Sequence, residues 1–508
     1  MMKQLQKVLT LCFGSLLLAF CVLGVTMETP SENAQPPNII LINVDDIGYG
    51  DFGVYGQKLI KTPNIDQLAA NGMLFTQFYA GAPVCGPSRA ALMTGMHAGH
   101  LKACGNGQAN LSENFVLWPQ LLQANGYHTA MFGKQHKAVL EGTSVLGDSP
   151  LERGFDEFVG WLNARDAHQH FIDGKSQGWE RRQYLFSGKK GEGCNILKIA
   201  PSRYVQNEFV DRAIDFIERQ DENPFFLYLP WTIAHAELSV PRSGDPDYHP
   251  EDKGLLEQYL DDEGKSIFPE FDYRGDKIYG RPNPYMTRAT LAAMISRLDR
   301  DIGKLLISLH KQYLAQNTII ILTSDNGPHD EAGVDPKQID GVLDSPFNSS
   351  GGLKGFKRSL YEGGVRVPMI VYWPGALRRG AEIDWPYANF DIGPTLLELA
   401  GIEPMEGIDG ESFASVLSDT PIPSFPRHLY FQFREQQSLV YGAWKLYRGQ
   451  NESGNDPIEF YNVVQDPGET NNLAALPEYQ ERIQQMKAIM NEENADSPCR
   501  FVPFKLEP

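Results

Sequence analysis

The chain has 508 residues, 42% hydrophobic and 21% charged, an ordinary balance for a folded enzyme and too long for one small core. Its 64 acidic residues outweigh 45 basic ones, and the net charge of -19 argues against coating nucleic acid or adhering generally to anionic membranes. Any site for an anionic substrate must be positive only locally.

Lys3 and Lys7 precede a charge-free run over residues 8–25, and a polar, Pro-containing stretch follows over 28–37. This pattern predicts a signal peptide or N-terminal anchor over residues 1–27, and an exported protein that is periplasmic, secreted or membrane-anchored. A lipid anchor on Cys21 is disfavoured by the bulky Phe20 before it. The chain has 6 cysteines, too few for a disulfide scaffold. With Cys12 and Cys21 in the leader, a bridge from Cys194 to Cys104 or Cys499 is conceivable, and Cys85 has a stronger claim on another role.

The body opens with Asn38-Ile39-Ile40-Leu41-Ile42-Asn43-Val44, a β-branched run that predicts a buried strand. Residues 129–132, 225–230, 318–323 and 369–373 read the same way. Helical patterns lie between them: residues 64–71, capped by Asn64 and stopped by Gly72, and the amphipathic 294–313 with Ile295, Leu298, Ile302, Leu305 and Leu309 on one face. The alternation predicts an α/β fold, a large mainly parallel sheet flanked by helices on both faces, over residues 37–415. The stretch 239–283 is acidic, aromatic and poorly periodic, and reads as an insertion near the active face. Residues 407–426, rich in Pro, Ser and Asp, read as a link to a smaller α+β subdomain over 425–508. There, short antiparallel strands are expected at 429–434, 438–447 and 457–463, then a helix over 477–491.

Four apolar runs end in polar clusters: Asp45-Asp46, Gly133-Lys134-Gln135-His136, His235 and Asp325-Asn326. Ligands bind at the carboxyl ends of strands in open α/β sheets, so the clusters can share one crevice. Asp45, Asp46, Asp325 and Asn326 offer hard oxygens that suit Ca2+, or Mg2+, far better than zinc. Taken singly, each dipeptide is more readily a strand-end turn. Cys85-Gly86-Pro87-Ser88-Arg89 precedes a helix-prone, small-residue run. Pro87 suits a first helical turn, which places Cys85 where amide donors favour an anion. Alone, it could equally be a structural or reactive cysteine.

Cys-x-Pro-Ser-Arg followed by a small-residue helix ending in Thr94-Gly95 resembles the signature of the formylglycine-dependent sulfatases, arylsulfatase-like enzymes with the alkaline phosphatase superfamily fold. The resemblance runs from about residue 37 to the C-terminal unit. It takes in Asn43-Val44-Asp45-Asp46 with Gly48, Gly133-Lys134-x-His136, Thr232-Ile233-Ala234-His235, Thr323-Ser324-Asp325-Asn326-Gly327 and Lys357-Arg358-Ser359-Leu360-Tyr361-Glu362-Gly363-Gly364. It implies a catalytic domain over 37–415 and a Cys85 converted to formylglycine by a maturation enzyme. It also implies a metal held by Asp45, Asp46, Asp325 and Asn326 with residue 85. Arg89 and His136 would hold the formylglycine diol, Lys134 and Lys357 would bind sulfate, and His235 would contact sulfate and protonate the leaving group. A hydrated formylglycine offers one hydroxyl to attack sulfur and a second whose deprotonation collapses the adduct and expels sulfate. Gln135 stands where the family commonly has Trp, and Ala234 where it has Pro; neither removes a proposed catalytic group.

For substrate, Trp161, Arg165, Asp166, His168 and His170, with Trp179, Arg181 and Arg182 soon after, offer aromatic faces for a sugar ring and basic groups for further sulfates. A loop pinned by aromatic anchors explains them equally well. His97, His100 and Asn106 are further candidates for the pocket wall. Without a hydrophobic hairpin for a steroid, a sulfated carbohydrate is the expected substrate. The rival readings are a phosphodiester or phosphonate monoester hydrolase of the same fold and a non-catalytic sulfated-glycan-binding protein. The sugar, the sulfate position, exo or endo action and the oligomeric state are not legible here.

Overall fold

The computed structural model describes residues 35–106, 115–135, 149–162, 167, 170–172, 184–198, 203–236, 238–245, 247–269, 287–329, 346–417, 427–449, 457–495, 499, 501–504 and 506. Residues 1–27, His136, Arg165, Asp166, His168, Trp179, Arg181, Arg182 and the end of the expected linker, 418–426, lie outside that set.

A large sheet runs in the order Ala381–Ile383, Met73–Phe75, Met369–Tyr372, Thr318–Ser324, Asn38–Val44, Phe225–Leu229, His128–Lys134, Glu157–Trp161, Phe186–Lys189, Gly193–Ile196. The five strands from Thr318–Ser324 to Glu157–Trp161 are mutually parallel. Antiparallel pairings begin on either side of them. The Asn38–Val44 strand is buried along its whole length. Its side chains alternate between two cores: Ile39 and Leu41 pack with the helices Cys85–Thr94, Trp118–Ala124 and Ile392–Leu399, while Ile40, Ile42 and Val44 pack with Pro63–Ala70, Val205–Glu218 and Arg288–Lys311. A strand covered on both faces has no polar side to spare, which explains its unbroken apolar run.

Two helix boundaries differ from the sequence reading. Asn64 is not a cap: Thr62 holds that position, Pro63 takes the first turn, and the Asn64 amide donates to Asp299 at 2.7 Å. The long helix starts earlier than expected, at Arg288, because the Thr287 hydroxyl accepts from the Thr290 amide and caps it.

Residues 37–508 cluster as one compact unit. Within it, His428–Phe433, Gln436–Tyr441, Trp444–Arg448 and Ile458–Asn462 form an antiparallel sheet. The run 438–447, read as one strand, is a hairpin that turns at Gly442, where φ is 60°. One face of this sheet packs Leu439, Leu446 and Phe460 against Ile483, Met486 and Met490 of the helix Gln480–Glu493. Leu429, Phe431 and Val440 on the other face join the main core. The described part of the expected insertion lies against the long helix, through Asp252 to Arg297 and Tyr259 to Ser296.

Cys104 and Cys499 form a disulfide, with Cα atoms 5.4 Å apart. This corrects the pairing considered for Cys194, which stays a free thiol on the edge strand Gly193–Ile196.

Candidate active site

Hydrogen bonds beyond the strand ends gather the polar clusters. Asp325 N donates to Val44 O at 3.0 Å, Asp45 N to Ile233 O at 3.0 Å, and Ala234 N to Asp45 O at 2.8 Å. Three neighbouring parallel strands thus deliver Asp45, Asp325 and His235 to one place. The chain then turns at Asp46 with a left-handed φ of 62°, a conformation that Asp tolerates better than most residues, and its amide donates to Asp325 Oδ1 at 3.3 Å. Asn326 donates from Nδ2 to Asp46 Oδ1 at 2.7 Å.

Cys85 is the first residue of the helix Cys85–Thr94, as the position of Pro87 predicts, and it is buried. One turn on, Arg89 donates to Asp325 Oδ2 at 2.8 Å and lies 3.4 Å from Asp45 Oδ2. The Cys85 sulfur and one oxygen each of Asp45 and Asp325 lie within 4.8 Å of one another. Lys134, at the end of its strand, donates to Asp45 Oδ2 at 2.7 Å. The Gly133 before it has φ of 147°, and a Cβ there would sit 2.3 Å from Pro230 O, so only glycine fits. Lys357 donates to both Asp46 oxygens, at 2.6 and 2.8 Å. Its loop folds back tightly: a Cβ on Gly363 would meet Gly355 O at 2.1 Å, and one on Gly364 would meet Ser359 O at 2.0 Å.

Asp45, Asp46 and Asp325 face Arg89, Lys134 and Lys357, so carboxylates and cations balance in number. Burial resists ionisation of all three acids. Lys134, His235 and Arg89 nevertheless hold Asp45 below the usual range, and Lys357 does the same for Asp46. At Asp325 burial wins over Arg89 and the carboxyl is pushed up. His235 lies 3.6 Å from Asp46 Oδ2 through Nε2, while its Nδ1 donates to Ala236 O. Burial pushes it down to about 4. Two buried acceptors in this cluster, Asp45 Oδ1 and Asn326 Oδ1, meet no hydrogen-bond donor. Unpartnered buried oxygens beside crowded carboxylates suit a hard divalent cation, and these residues could hold one.

The substrate candidates fare differently. Trp161 is fully buried in the core, edge-on to Phe209, and offers no ring face to a sugar. His170 is buried too, and its Nε2 donates to the His235 carbonyl at 2.9 Å, so it braces the His235 backbone. His100 lies past the far end of the Cys85–Thr94 helix, whose ten residues span about 15 Å at 1.5 Å per residue. There it stacks on His97 and bonds Asp409 at 2.7 Å, while His97 bonds Glu493 at 2.8 Å. This group ties the Cys85–Thr94 helix to the Gln480–Glu493 helix and does not wall the Cys85 site. One residue near the cluster escaped the sequence reading: buried His329, whose ring lies 6.0 Å from that of His235. Its place in the Asp325 loop was the available signal.

Comparison with known proteins agrees with this layout. The sulfatase family model matches residues 37–402, and a model of the C-terminal region of N-sulphoglucosamine sulphohydrolase matches 354–496. Human arylsulfatase D is 30% identical, over 82% of this chain and 74% of that protein. Human N-acetylgalactosamine-6-sulfatase is 28% identical, over 90% of this chain and 85% of that protein. The crystal structure of Ps i-CgsB in complex with k-i-k-neocarrahexaose superposes with a TM-score of 0.70 at 27% identity, covering 92% of this chain and 94% of that one. With that much of its length matched, the chain belongs to the sulfatase family, enzymes that hydrolyse sulfuric esters.

Proposed function

We propose that this chain hydrolyses sulfate esters of carbohydrates, using a formylglycine made from Cys85 and a divalent cation held by Asp45, Asp46, Asp325, Asn326 and residue 85. The observation that carries the reading is the convergence of these five residues, with Asp45 Oδ1 and Asn326 Oδ1 left unpartnered beside the Cys85 helix start. A bound cation supplies charge stabilisation for oxygens brought into the cluster, and formylglycine supplies a hydrated aldehyde in place of a thiol. Ca2+, or Mg2+, suits the all-oxygen donor set.

The protein's own groups do the rest. Arg89, Lys134 and Lys357 already offset the three carboxylates, so a divalent ion leaves the site with excess positive charge in an otherwise acidic protein. That excess suits a sulfate ester, and Lys134 and Lys357 are placed to bind its non-bridging oxygens. Arg89 orients residue 85 from one turn along the same helix. His235 faces the cluster through Nε2; burial keeps the imidazole neutral without substrate, and a sulfate ester bound beside it would favour the protonated ring, from which Nε2 can pass a proton to the leaving alcohol. His136 is assigned the formylglycine diol by its family motif alone.

Carbohydrate as the substrate rests on the sugar named in N-acetylgalactosamine-6-sulfatase and on the oligosaccharide in the Ps i-CgsB complex. Export rests on the Lys-then-apolar opening and on the Cys104–Cys499 bridge, which suits an oxidising compartment. The conversion of Cys85 requires a formylglycine-generating enzyme in the host.

The test is the mass of the peptide containing residue 85 from protein made with the maturation enzyme, combined with sulfate release from aryl and sugar sulfates. Conversion lowers the peptide mass by about 18 Da, as an aldehyde oxygen replaces SH and H. A matured preparation that releases no sulfate, or one that cleaves aryl phosphonates faster than aryl sulfates, overturns the reading.

A further inference from the structure

The Lys357 loop is built largely from outside itself. Its backbone takes a left-handed turn at Arg358, φ 79°, a conformation that costs a non-glycine residue about 1–3 kcal/mol and persists only when neighbours impose it. The main body holds one side: Lys357 N donates to Pro328 O at 3.0 Å, and Arg358 N to Pro83 O at 2.8 Å. The other side belongs to the C-terminal sheet. Gln436, at the start of its second strand, donates from Nε2 to Arg358 O at 3.0 Å and accepts at Oε1 from Leu360 N at 3.0 Å. An amide donating to a carbonyl and accepting from an N–H can sit only one way round, so its orientation is fixed. Tyr447 donates to the same Oε1 at 3.3 Å, and its ring stacks on Tyr361 at 4.3 Å. Farther along, Glu362 N donates to Glu469 Oε2 at 2.7 Å.

We propose that Gln436 is a positioning residue for sulfate binding: by bracketing the turn at Arg358 it sets where the Lys357 ammonium stands, and so couples the C-terminal sheet to the active site. The claim rests on the sulfate-binding role given to Lys357 above. Gln436 touches neither substrate nor the reacting atoms, and its effect passes through two main-chain bonds. Moving a charged group by even about 1 Å can cost a large factor in rate, so a bracket of this kind is catalytically consequential.

The experiment compares matured, full-length Gln436→Met, Gln437→Met and Lys357→Ala with the wild type. Methionine keeps the volume of Gln436 but makes neither bond. Gln437 is the neighbouring amide, and it bonds Tyr430 and Arg448 within the C-terminal unit without reaching the Lys357 loop. Expected for Gln436→Met are a roughly tenfold fall in kcat/KM and a roughly fivefold rise in the inhibition constant of inorganic sulfate. Gln437→Met should leave both within about twofold, whatever its effect on the unfolding midpoint. A merely structural role for Gln436 would not move sulfate inhibition in the folded enzyme. Should Gln436→Met fail to fold, Gln436→Glu replaces it: it keeps the acceptor for Leu360 but sets a carboxylate against the Arg358 carbonyl, and the same changes are expected. The proposal is overturned if the folded Gln436 variant matches the wild type in both constants, or if Gln437→Met loses as much. Full activity in Lys357→Ala removes the role on which the proposal rests; an inactive Lys357→Ala beside an unaffected Gln436 variant removes the bracket alone.

Discussion

Two of the buried charge clusters in this molecule are finished differently. At the seam with the C-terminal sheet, Glu362 accepts from Tyr79 at 2.9 Å and Lys445 at 2.9 Å, with Arg366 at 3.4 Å, and Glu469 pairs with Lys445 at 3.1 Å. Both Glu362 oxygens are thereby engaged. Around Cys85, acids and bases are equally matched in number, yet Asp45 Oδ1 and Asn326 Oδ1 are left without donors. Glu469 Oε1 accepts no hydrogen bond either, but the Lys445 ammonium faces it at 3.1 Å. Matched charge with a donor or cation against each carboxylate oxygen suits a joint; matched charge with acceptors left over suits a ligand.

The comparison can be broken by substitution, and the largest effect belongs to the active cluster. Cys85→Ala should lower turnover of an aryl sulfate by about 10³-fold or more with little change in unfolding midpoint. If stability falls in step with activity, the two clusters are not distinct in kind. Lys445→Met tests the other side: it removes the cation that Glu469 faces, leaves Glu362 with Tyr79 and Arg366, and should cost about 3–5 kcal/mol in denaturant unfolding, the usual penalty for breaking a buried pair. Asn326→Ala sharpens the contrast further, because it removes one of the oxygens left without a donor. It should raise the Ca2+ concentration for half-maximal activity by about tenfold, and loading with Ca2+ should raise the melting temperature of the wild type more than that of the variant.

The smallest effect is a pH slope. Burial pushes the Glu469 carboxyl up from 4.5 to about 7, against the pull of Lys445. The folded protein then keeps a proton that the unfolded chain releases, so Glu469 makes stability fall as pH rises from roughly 4.5 to 7. Glu469→Gln should flatten that part of the stability profile, measured by chemical denaturation at several pH values. An unchanged slope would assign it to another group.

Much of the scaffold was legible because it is written locally. The run from Ile39 to Val44 can only be a strand buried on both faces, and Ile295, Leu298, Ile302, Leu305 and Leu309 mark one side of a helix wherever that helix packs. Gly133, Gly363 and Gly364 were visible as motif letters, but the carbonyls that exclude a Cβ come from Pro230, Gly355 and Ser359, in part far along the chain. Trp161 shows the opposite hazard: its neighbourhood in sequence suggested a sugar platform, while the fold turned its ring into the core.

By itself the sequence determined the chemical inventory and the order of strands and helices, because side-chain type and hydrophobic period are properties of short segments. The tertiary structure alone decided that Cys499 pairs with Cys104, that His100 stands beyond the far end of the Cys85–Thr94 helix, and that Gln436 grips the turn after Lys357. Those contacts join segments distant along the chain, and local propensity carries no information about which distant partner completes a bond.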